Sequence, residues 1–500
     1  MLFVGAVGAE PLEGSRPNII LVMTDDQGMG DLSCMGNEVL ETPNIDRFYD
    51  RATRLTDFHV SPTCAPTRSA IMSGRAPFKV GVTHTIFQRE RMSLNVFTMP
   101  QALQSAGYAT GLFGKWHLGD EENRLPRNRG FDEVLMHGAG GIGQYQYGDF
   151  EANSENVYFD NTLLHNDTIV QTKGFCTDLF FTSALAWIKE QHSAANPYFA
   201  YISLNAPHGP FPAPEKYKKR FLDMGYDEKS AGRYGMVENI DHNFGRLWKK
   251  LQEWEALENT LLIFMTDNGM SMGPIMANGE TIIPFNAGMK GRKNSPYEGG
   301  THVPAFWYWK GVLGEGVNVD GLTAHIDLYK TFCDLAGVTL PQKMQELDGR
   351  SLLPLLEDPQ AIWPDRKLFV HIGRWGPGEI EEAKYGKYAV RTERWRFSND
   401  SELYDIDKDP TETSNVATSH PEVVKELRDA YDEWWASALP LMVNEGLPTV
   451  PPEEQPLSLR YEKQLESSIW MLADMPHHYC FGFTRSGAHS LSARPLRRIG

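Results

Sequence analysis

Two stretches far apart in the chain are spelled almost alike. Residues 18–23 read NIILVM and end in Thr24, Asp25 and Asp26; residues 261–265 read LLIFM and end in Thr266, Asp267, Asn268 and Gly269. A continuous apolar run has no polar face, so as a strand it must be covered on both sides, the situation of a largely parallel sheet. Two more runs behave alike. Residues 109–113 lead to Gly114, Lys115, Trp116 and His117, and residues 198–204 lead to Asn205, Ala206, Pro207 and His208. Helical patterns at 99–106, 179–191 and 237–254 lie between the runs. Strands alternating with helices specify an α/β fold, a large mixed, mostly parallel sheet flanked by helices. Ligands in such sheets bind beyond the carboxyl ends of the strands, so all four polar endings are expected on one edge.

The pattern changes near residue 366. Shorter, more polar strands at 367–372, 388–391 and 394–397, then a helix at 421–438, describe a smaller C-terminal α+β subdomain with an antiparallel sheet. The expected division is a catalytic unit at 17–365, the subdomain at 366–447, and a proline-rich linker and atypical tail at 448–500. Residues 1–16 open on MLFVGAVGA, which resembles the end of a secretory signal without its positive n-region, or a frayed terminus. The expected location is periplasmic or secreted, in preference to a lysosomal-type compartment.

Charge narrows the partners. The 48 basic against 65 acidic residues give a net charge of −17, which does not attract nucleic acid or an anionic membrane. No apolar run is long enough to span a bilayer. Five widely spaced cysteines form no CxxC pair and exclude a disulfide-dense scaffold. An anionic small substrate is compatible if positive charge is gathered locally.

Several residues carry chemistry. Asp25, Asp26, Asp267 and Asn268 offer hard oxygen donors from two strand ends, a set for calcium or magnesium; taken singly, such residues also cap turns. Cys64 lies in PTCAPTR, where Pro66 suits a first helical turn. The cysteine therefore sits at or just before a helix N-terminus, with Arg68 one turn on and on the same face. A lone cysteine is otherwise a small buried hydrophobe. Gly138-x-Gly140-x-x-Gly143 has dinucleotide-fingerprint spelling, but QYQYGDF follows it, so a loop is expected. His477, His478 and Cys480 form too small a donor set to define a metal site. Trp116, His371, Arg374 and Trp375 are expected either to line the entrance with faces for sugar rings or to be ordinary packing.

Cys64-x-Pro66-x-Arg68 with Ser73-Gly74-Arg75 resembles the signature of type I sulfatases, members of the alkaline-phosphatase-like superfamily. PNIILVMTDDQG, GKWHLG (114–119), NAPHGP (205–210), FMTDNG (264–269), GRKNSPYEGG (291–300) and LYDIDKDPTE (403–412) follow in the family's order over roughly 17–440. The stretch before Tyr297 is poorer in glycine and threonine than the family pattern, and the tail after about 450 matches nothing.

The resemblance implies a sulfate monoester hydrolase of arylsulfatase type. Cys64 would be converted to formylglycine by a maturation enzyme. As a hydrated gem-diol it would supply the nucleophile, with Asp267 as base beside it. One calcium ion would be held by Asp25, Asp26, Asp267, Asn268 and the modified Cys64. Arg68 and Lys115 would orient the nucleophile, Lys293 and His208 would bind sulfate and protonate the leaving oxygen, and His117 would take the proton from the second hydroxyl. The substrate would be a sulfated small molecule or sulfated carbohydrate. Two rivals share the scaffold: a phosphomonoester or phosphonate ester hydrolase, and a non-catalytic sulfated-glycan binder with Cys64 unconverted.

Overall fold

The structure, a computed structural model, describes residues 11–86, 88–142, 158–376 and 378–445, with the short strands Trp470–Leu472, Phe481–Gly482 and Arg494–Pro495. The expectations for residues 1–10, for Gly143, for most of the tail and for His477, His478 and Cys480 lie outside the described residues.

An eleven-stranded sheet organises the large unit. Strand Asn18–Thr24 lies near its middle, with Tyr198–Ser203 and Thr260–Thr266 as parallel neighbours, and Ala109–Lys115 runs parallel beyond Tyr198–Ser203. Every residue of Asn18–Thr24 is buried, as its unbroken apolar spelling requires. Its alternate side chains enter different cores: Ile19, Leu21 and Met23 pack with Ile71, Leu103 and Leu328, while Ile20 and Val22 pack with Phe180, Met236 and Phe244. Helices Cys64–Ser73, Met99–Ser105 and Asp327–Ala336 contribute to the first core, and Cys176–Ser193 and Glu228–Glu253 to the second.

Register decides where the polar endings go. Met23 pairs with Met265 and Thr24 with Thr266, so Asp25–Asp26 and Asp267–Asn268 leave the sheet side by side. Gly114 pairs with Ser203, which brings Lys115 to the same edge. Gly114 has φ 122°, and a Cβ there would overlap the Ser203 carbonyl; the close strand approach requires glycine.

Antiparallel members complete the sheet. Ala305–Tyr308 pairs with Thr260–Thr266 and Thr53–Leu55, and Thr162–His165 pairs with Glu133–His137 and Thr168–Lys173. Strand Trp470–Leu472 pairs in parallel with Thr168–Lys173. Helix Glu228–Glu253 starts well before the apolar pattern at 237, because Asp227 caps it by accepting from the Ser230 N–H at 2.8 Å and its first turns are themselves buried.

The C-terminal unit is a four-stranded antiparallel sheet, Leu368–His371, Tyr388–Arg391, Trp395–Ser398 and Glu402–Asp405 in that order. Helix Pro421–Ala438 covers it through Leu427, Tyr431, Trp434 and Trp435. Arginines tie it to the large unit: Arg396 Nη2 lies 2.5 Å and Arg391 Nε 3.1 Å from Glu298 Oε1, and Arg391 Nη2 reaches Asp57 at 3.2 Å.

Candidate functional site

The two acidic strand ends form one cluster. Asp26 N–H donates to Asp267 Oδ1 at 3.1 Å and Asn268 Nδ2 donates to Asp26 Oδ1 at 3.0 Å. Asp26 turns the chain at φ 66°, in the left-handed region that aspartate tolerates better than most residues. Behind it, Arg233 donates to the Asp26 carbonyl at 3.1 Å while paired with Asp31 at 2.6 Å.

Helix Cys64–Ser73 brings in the thiol from the adjoining face. Cys64 is its first residue after Thr63, and every residue of the helix is buried. One ligand atom each from Cys64, Asp25 and Asp267 lies within 4.8 Å of the others. Arg68, one turn on, bonds Asp267 Oδ2 at 2.9 Å and the Lys115 carbonyl at 3.1 Å, and also donates to Ser203 Oγ. Lys115 Nζ lies 2.5 Å from Asp25 Oδ2. Lys293 pairs with Asp26 Oδ1, and His208 Nε2 stands 3.8 Å from Asp26 Oδ2. Three aspartates are thus matched by three permanent cations before any ligand arrives.

This crowding sets the proton affinities. Burial pushes Asp25 up to about 6, further raised by Asp26 and the thiol and opposed by Lys115. Burial and the Asp25 charge push Asp267 up to about 7. Burial acts upward on Asp26 too, but Lys293, His208 and Lys115 together outweigh it and hold its carboxyl well below the usual range. Burial also raises the Cys64 thiol, yet Lys115 and Lys293 outweigh it and bring it down.

The two histidines present opposite nitrogens. His117 Nε2 donates to the Thr85 carbonyl at 2.9 Å, which leaves buried Nδ1 without a hydrogen-bond partner. Burial first, then Lys115, hold His117 well below its ordinary value, so Nδ1 is a free lone pair. His208 Nδ1 donates to the Gly209 carbonyl at 2.7 Å, so Nε2 faces Asp26. Access is graded: Lys115 and Asp267 are fully buried, whereas the side chains of Lys293 and His208 are 9% and 18% exposed. Lys293 and His208 therefore stand at the mouth.

The donor set fits a hard divalent cation. Asp25 Oδ1 and Asn268 Oδ1 are buried acceptors with no donor, a state that costs about 1–3 kcal/mol each unless a ligand occupies it. All four side chains offer oxygen, the ligand type of calcium and magnesium. A second group, Asp57, His59, Glu298 and His302, also gathers its ligand atoms within 4.8 Å. Its carboxylates already face Arg391 and Arg396, so positive charge is present there without a metal.

Of the two alternatives for Trp116, His371, Arg374 and Trp375, packing holds for the three rings. Trp116 is 1% exposed, with Nε1 bonded to the Arg124 carbonyl at 3.0 Å. His371 and Trp375 are buried against Phe78 and Trp435 in the subdomain core. Their apolar area is consumed by packing, which leaves no free ring face. Arg374 alone of the four is exposed, and it donates to Thr85 Oγ1 at 2.9 Å.

Supporting residues had no local signature. Thr85 orients His117, and Ser203 links Arg68 to Lys115 through the Lys115 carbonyl at 2.7 Å. Tyr158 O–H lies 3.0 Å from the Asn205 carbonyl and 2.6 Å from the His208 carbonyl, pinning that loop. Gly140 of the glycine-rich loop packs on His117, where a Cβ would overlap Nε2. Each acts on a partner distant in sequence.

Comparison with known proteins places the chain among relatives of one kind. The family model described as sulfatase matches residues 17–338, and one described as N-sulphoglucosamine sulphohydrolase, C-terminal, matches 292–435. The chain is 28% identical to an uncharacterized sulfatase, YdeN, of Escherichia coli, over 85% of this chain and 86% of that one. It is 29% identical to N-acetylgalactosamine-6-sulfatase of Homo sapiens, over 83% of this chain and 78% of that one. Among solved structures, that of Ps i-CgsB superposes with a TM-score of 0.74 at 27% identity, over 90% of this chain and 98% of that one. Ps i-CgsB has also been solved in complex with k-i-k-neocarrahexaose.

Proposed function

The chain belongs to the sulfatase family, and we propose that it hydrolyses sulfate monoesters on carbohydrate through a formylglycine made from Cys64 beside a calcium ion. The observation that carries the reading is the placement of the Cys64 thiol at a helix N-terminus, within 4.8 Å of Asp25 and Asp267 and ringed by Arg68, Lys115 and Lys293. A relative named for a sulfated sugar, N-acetylgalactosamine-6-sulfatase, supports carbohydrate as the substrate class.

Asp25, Asp26, Asp267 and Asn268 would hold the cation, which supplies electrophilic pull on the ester oxygens and eases deprotonation of a neighbouring hydroxyl. The formylglycine supplies an oxygen nucleophile together with the second hydroxyl that lets sulfate leave. The remaining work belongs to side chains of this chain. Arg68 and Lys115 anchor Asp267 and Asp25 and keep positive potential at the buried end. Lys293, at the mouth, binds sulfate oxygens. His208 delivers a proton from Nε2 to the leaving oxygen; burial, with Lys293 and Lys115, holds its proton affinity below the ordinary value, which makes the ring a ready proton donor once charged, and Asp26 beside it acts in the opposite sense. His117 accepts a proton at Nδ1, because Thr85 fixes the other nitrogen as the donor. Burial of Cys64 and Arg68 excludes bulk water from the reacting oxygen.

On this reading the maturation enzyme is an obligatory partner, and the protein works in the periplasm or outside the cell. The test is the mass of the peptide spanning Cys64 in protein that releases sulfate from an aryl sulfate. Formylglycine is expected in active protein and near-inactivity in folded, unconverted protein. Stoichiometric unmodified cysteine at full activity would refute the mechanism. Faster phosphate release from the matched aryl phosphate would transfer the site to the phosphomonoester or phosphonate hydrolase rival.

A further inference from the structure

A cleft of about 580 Å³ opens beside the candidate site and shares Lys293 with it. Its walls carry Lys290, Arg292 and Lys293 with Ser271, Asn294 and Tyr297, and no acidic residue lines it. The three cations differ in what already faces them. Lys293 is paired with Asp26. Lys290 bonds Tyr404 O–H at 2.7 Å, lies 3.4 Å from Glu402 and rests 4.1 Å from the Tyr297 ring centre. Arg292 is exposed and has no carboxylate partner among the described residues; its one side-chain bond is a long one, 3.4 Å to the Met272 carbonyl.

The turn that carries Arg292 is rigidly held. Its own N–H donates to Ser295 Oγ at 3.0 Å, Lys293 N–H to the Met270 carbonyl at 3.0 Å, and Asn294 N–H to the Pro62 carbonyl at 3.0 Å. Gly291 has φ 79°, and a Cβ on Gly273 would come within 2.6 Å of Arg292 Nη1. The backbone at Gly273 therefore makes room for the guanidinium. A chain with net charge −17 keeps an arginine without a carboxylate partner among the described residues next to Lys293.

We infer that Arg292, with Lys290 and Ser271, forms a second anion subsite that takes a further negatively charged substituent of the substrate, a sulfate ester or a carboxylate, while Lys293 holds the scissile sulfate. The preferred substrate is then a multiply anionic sulfated glycan and not a singly sulfated small molecule. This rests on the proposed sulfatase reading. Guanidinium suits the task because its planar fork bonds two oxygens of an oxyanion at once, which an ammonium cannot match.

The experiment measures kcat/KM of the converted enzyme and of Arg292→Ala and Arg292→Lys on three probes: a galactosamine monosulfate, a disulfated disaccharide containing it, and a monosulfated disaccharide with a uronate carboxylate. The expected result is that the native enzyme prefers a doubly charged probe and that Arg292→Ala lowers this preference about ten-fold, through KM and not kcat. Arg292→Lys should restore only part of it. Which doubly charged probe loses most identifies sulfate or carboxylate as the second group. An unchanged preference ratio in Arg292→Ala would overturn the inference. Calorimetry of the disulfated disaccharide with unconverted protein separates it from the sulfatase reading. A ten-fold weakening by Arg292→Ala there upholds the subsite even if no sulfate is released, and an unchanged affinity rejects it.

Discussion

Lys115 and Asp25 meet across the end of strand Tyr198–Ser203, Nζ to Oδ2 at 2.5 Å, and both side chains are fully buried. Breaking a buried pair from one side leaves an uncompensated charge, which costs about 3–5 kcal/mol. Lys115→Met should therefore lower the stability of chelated protein by about that amount in urea unfolding, and by less in saturating calcium. Adding Asp25→Asn should recover part of the loss. A cost under about 1 kcal/mol with no response to calcium would contradict the coupling.

Calcium affinity should depend on pH. Asp25, pushed up to about 6 by burial and by Asp26 and the thiol, and Asp267, pushed up to about 7 by burial and the Asp25 charge, hold protons in the metal-free protein that a cation must displace. Affinity measured by calorimetry should weaken steadily from pH 7.5 to pH 5.5, with proton release on binding. Equal affinity across that range would mean that the carboxylates are not the ligands.

Gly140→Ala tests the positioning of His117. The new Cβ would overlap His117 Nε2, the nitrogen that bonds Thr85, so the ring must tilt. A displacement near 1 Å costs on the order of 10²-fold in rate. We expect kcat to fall by ten-fold or more while thermal stability changes little, and His117→Ala to add nothing further in the double variant. Additive losses would show that the glycine acts elsewhere.

Acid should destabilise the fold through two buried imidazoles. Burial holds His59 down to about 4 and His325 down to about 3, against 6.5 for a free side chain. The unfolded chain takes up these protons first, so stability is complete above about pH 6.5 and declines as pH falls through that value towards 4. Linkage between protonation and folding makes the gap at His59 alone worth about 3 kcal/mol. The raised carboxyls of Asp25 and Asp267 act in the opposite sense over this range, so the readout is the difference between variants: between pH 7.5 and 4 the thermal midpoint should fall more, or rise less, in the native protein than in His325→Asn. Equal changes in the two would contradict the assignment.

Much of this arrangement could be read in advance, for a physical reason. The strands ending at Thr24 and Thr266 are buried on both faces, so their spelling is continuous and their polar endings stand out. The placement of Cys64 at the start of a helix followed from Pro66. Ala305–Tyr308 is hidden because four residues are too few for a period to show, and Thr162–Lys173 because the hairpin mixes polar and apolar residues. Ser203 and Tyr158 act through hydrogen bonds to distant backbone, and Thr85 through its carbonyl, which accepts from the distant His117 ring; no local pattern encodes these. Trp116, His371 and Trp375 stay open between entrance and packing in the sequence, because composition does not distinguish a ring that packs inward from one that faces a ligand; the structure selects packing.

The cation site also keeps time. Asp26 and Asp267 are 241 residues apart, and at about 5–20 residues per second the ribosome needs on the order of ten seconds or more to deliver the second after the first. Until strand Thr260–Thr266 arrives, Asn18–Thr24 lacks one of its two parallel neighbours and the pocket around Cys64 has no floor. In the finished fold Cys64 is only 2% exposed. On the proposed reading, the enzyme that alters this side chain has a window that closes as the chain folds, and activity should depend on how quickly the unfolded chain is met as well as on what it encodes.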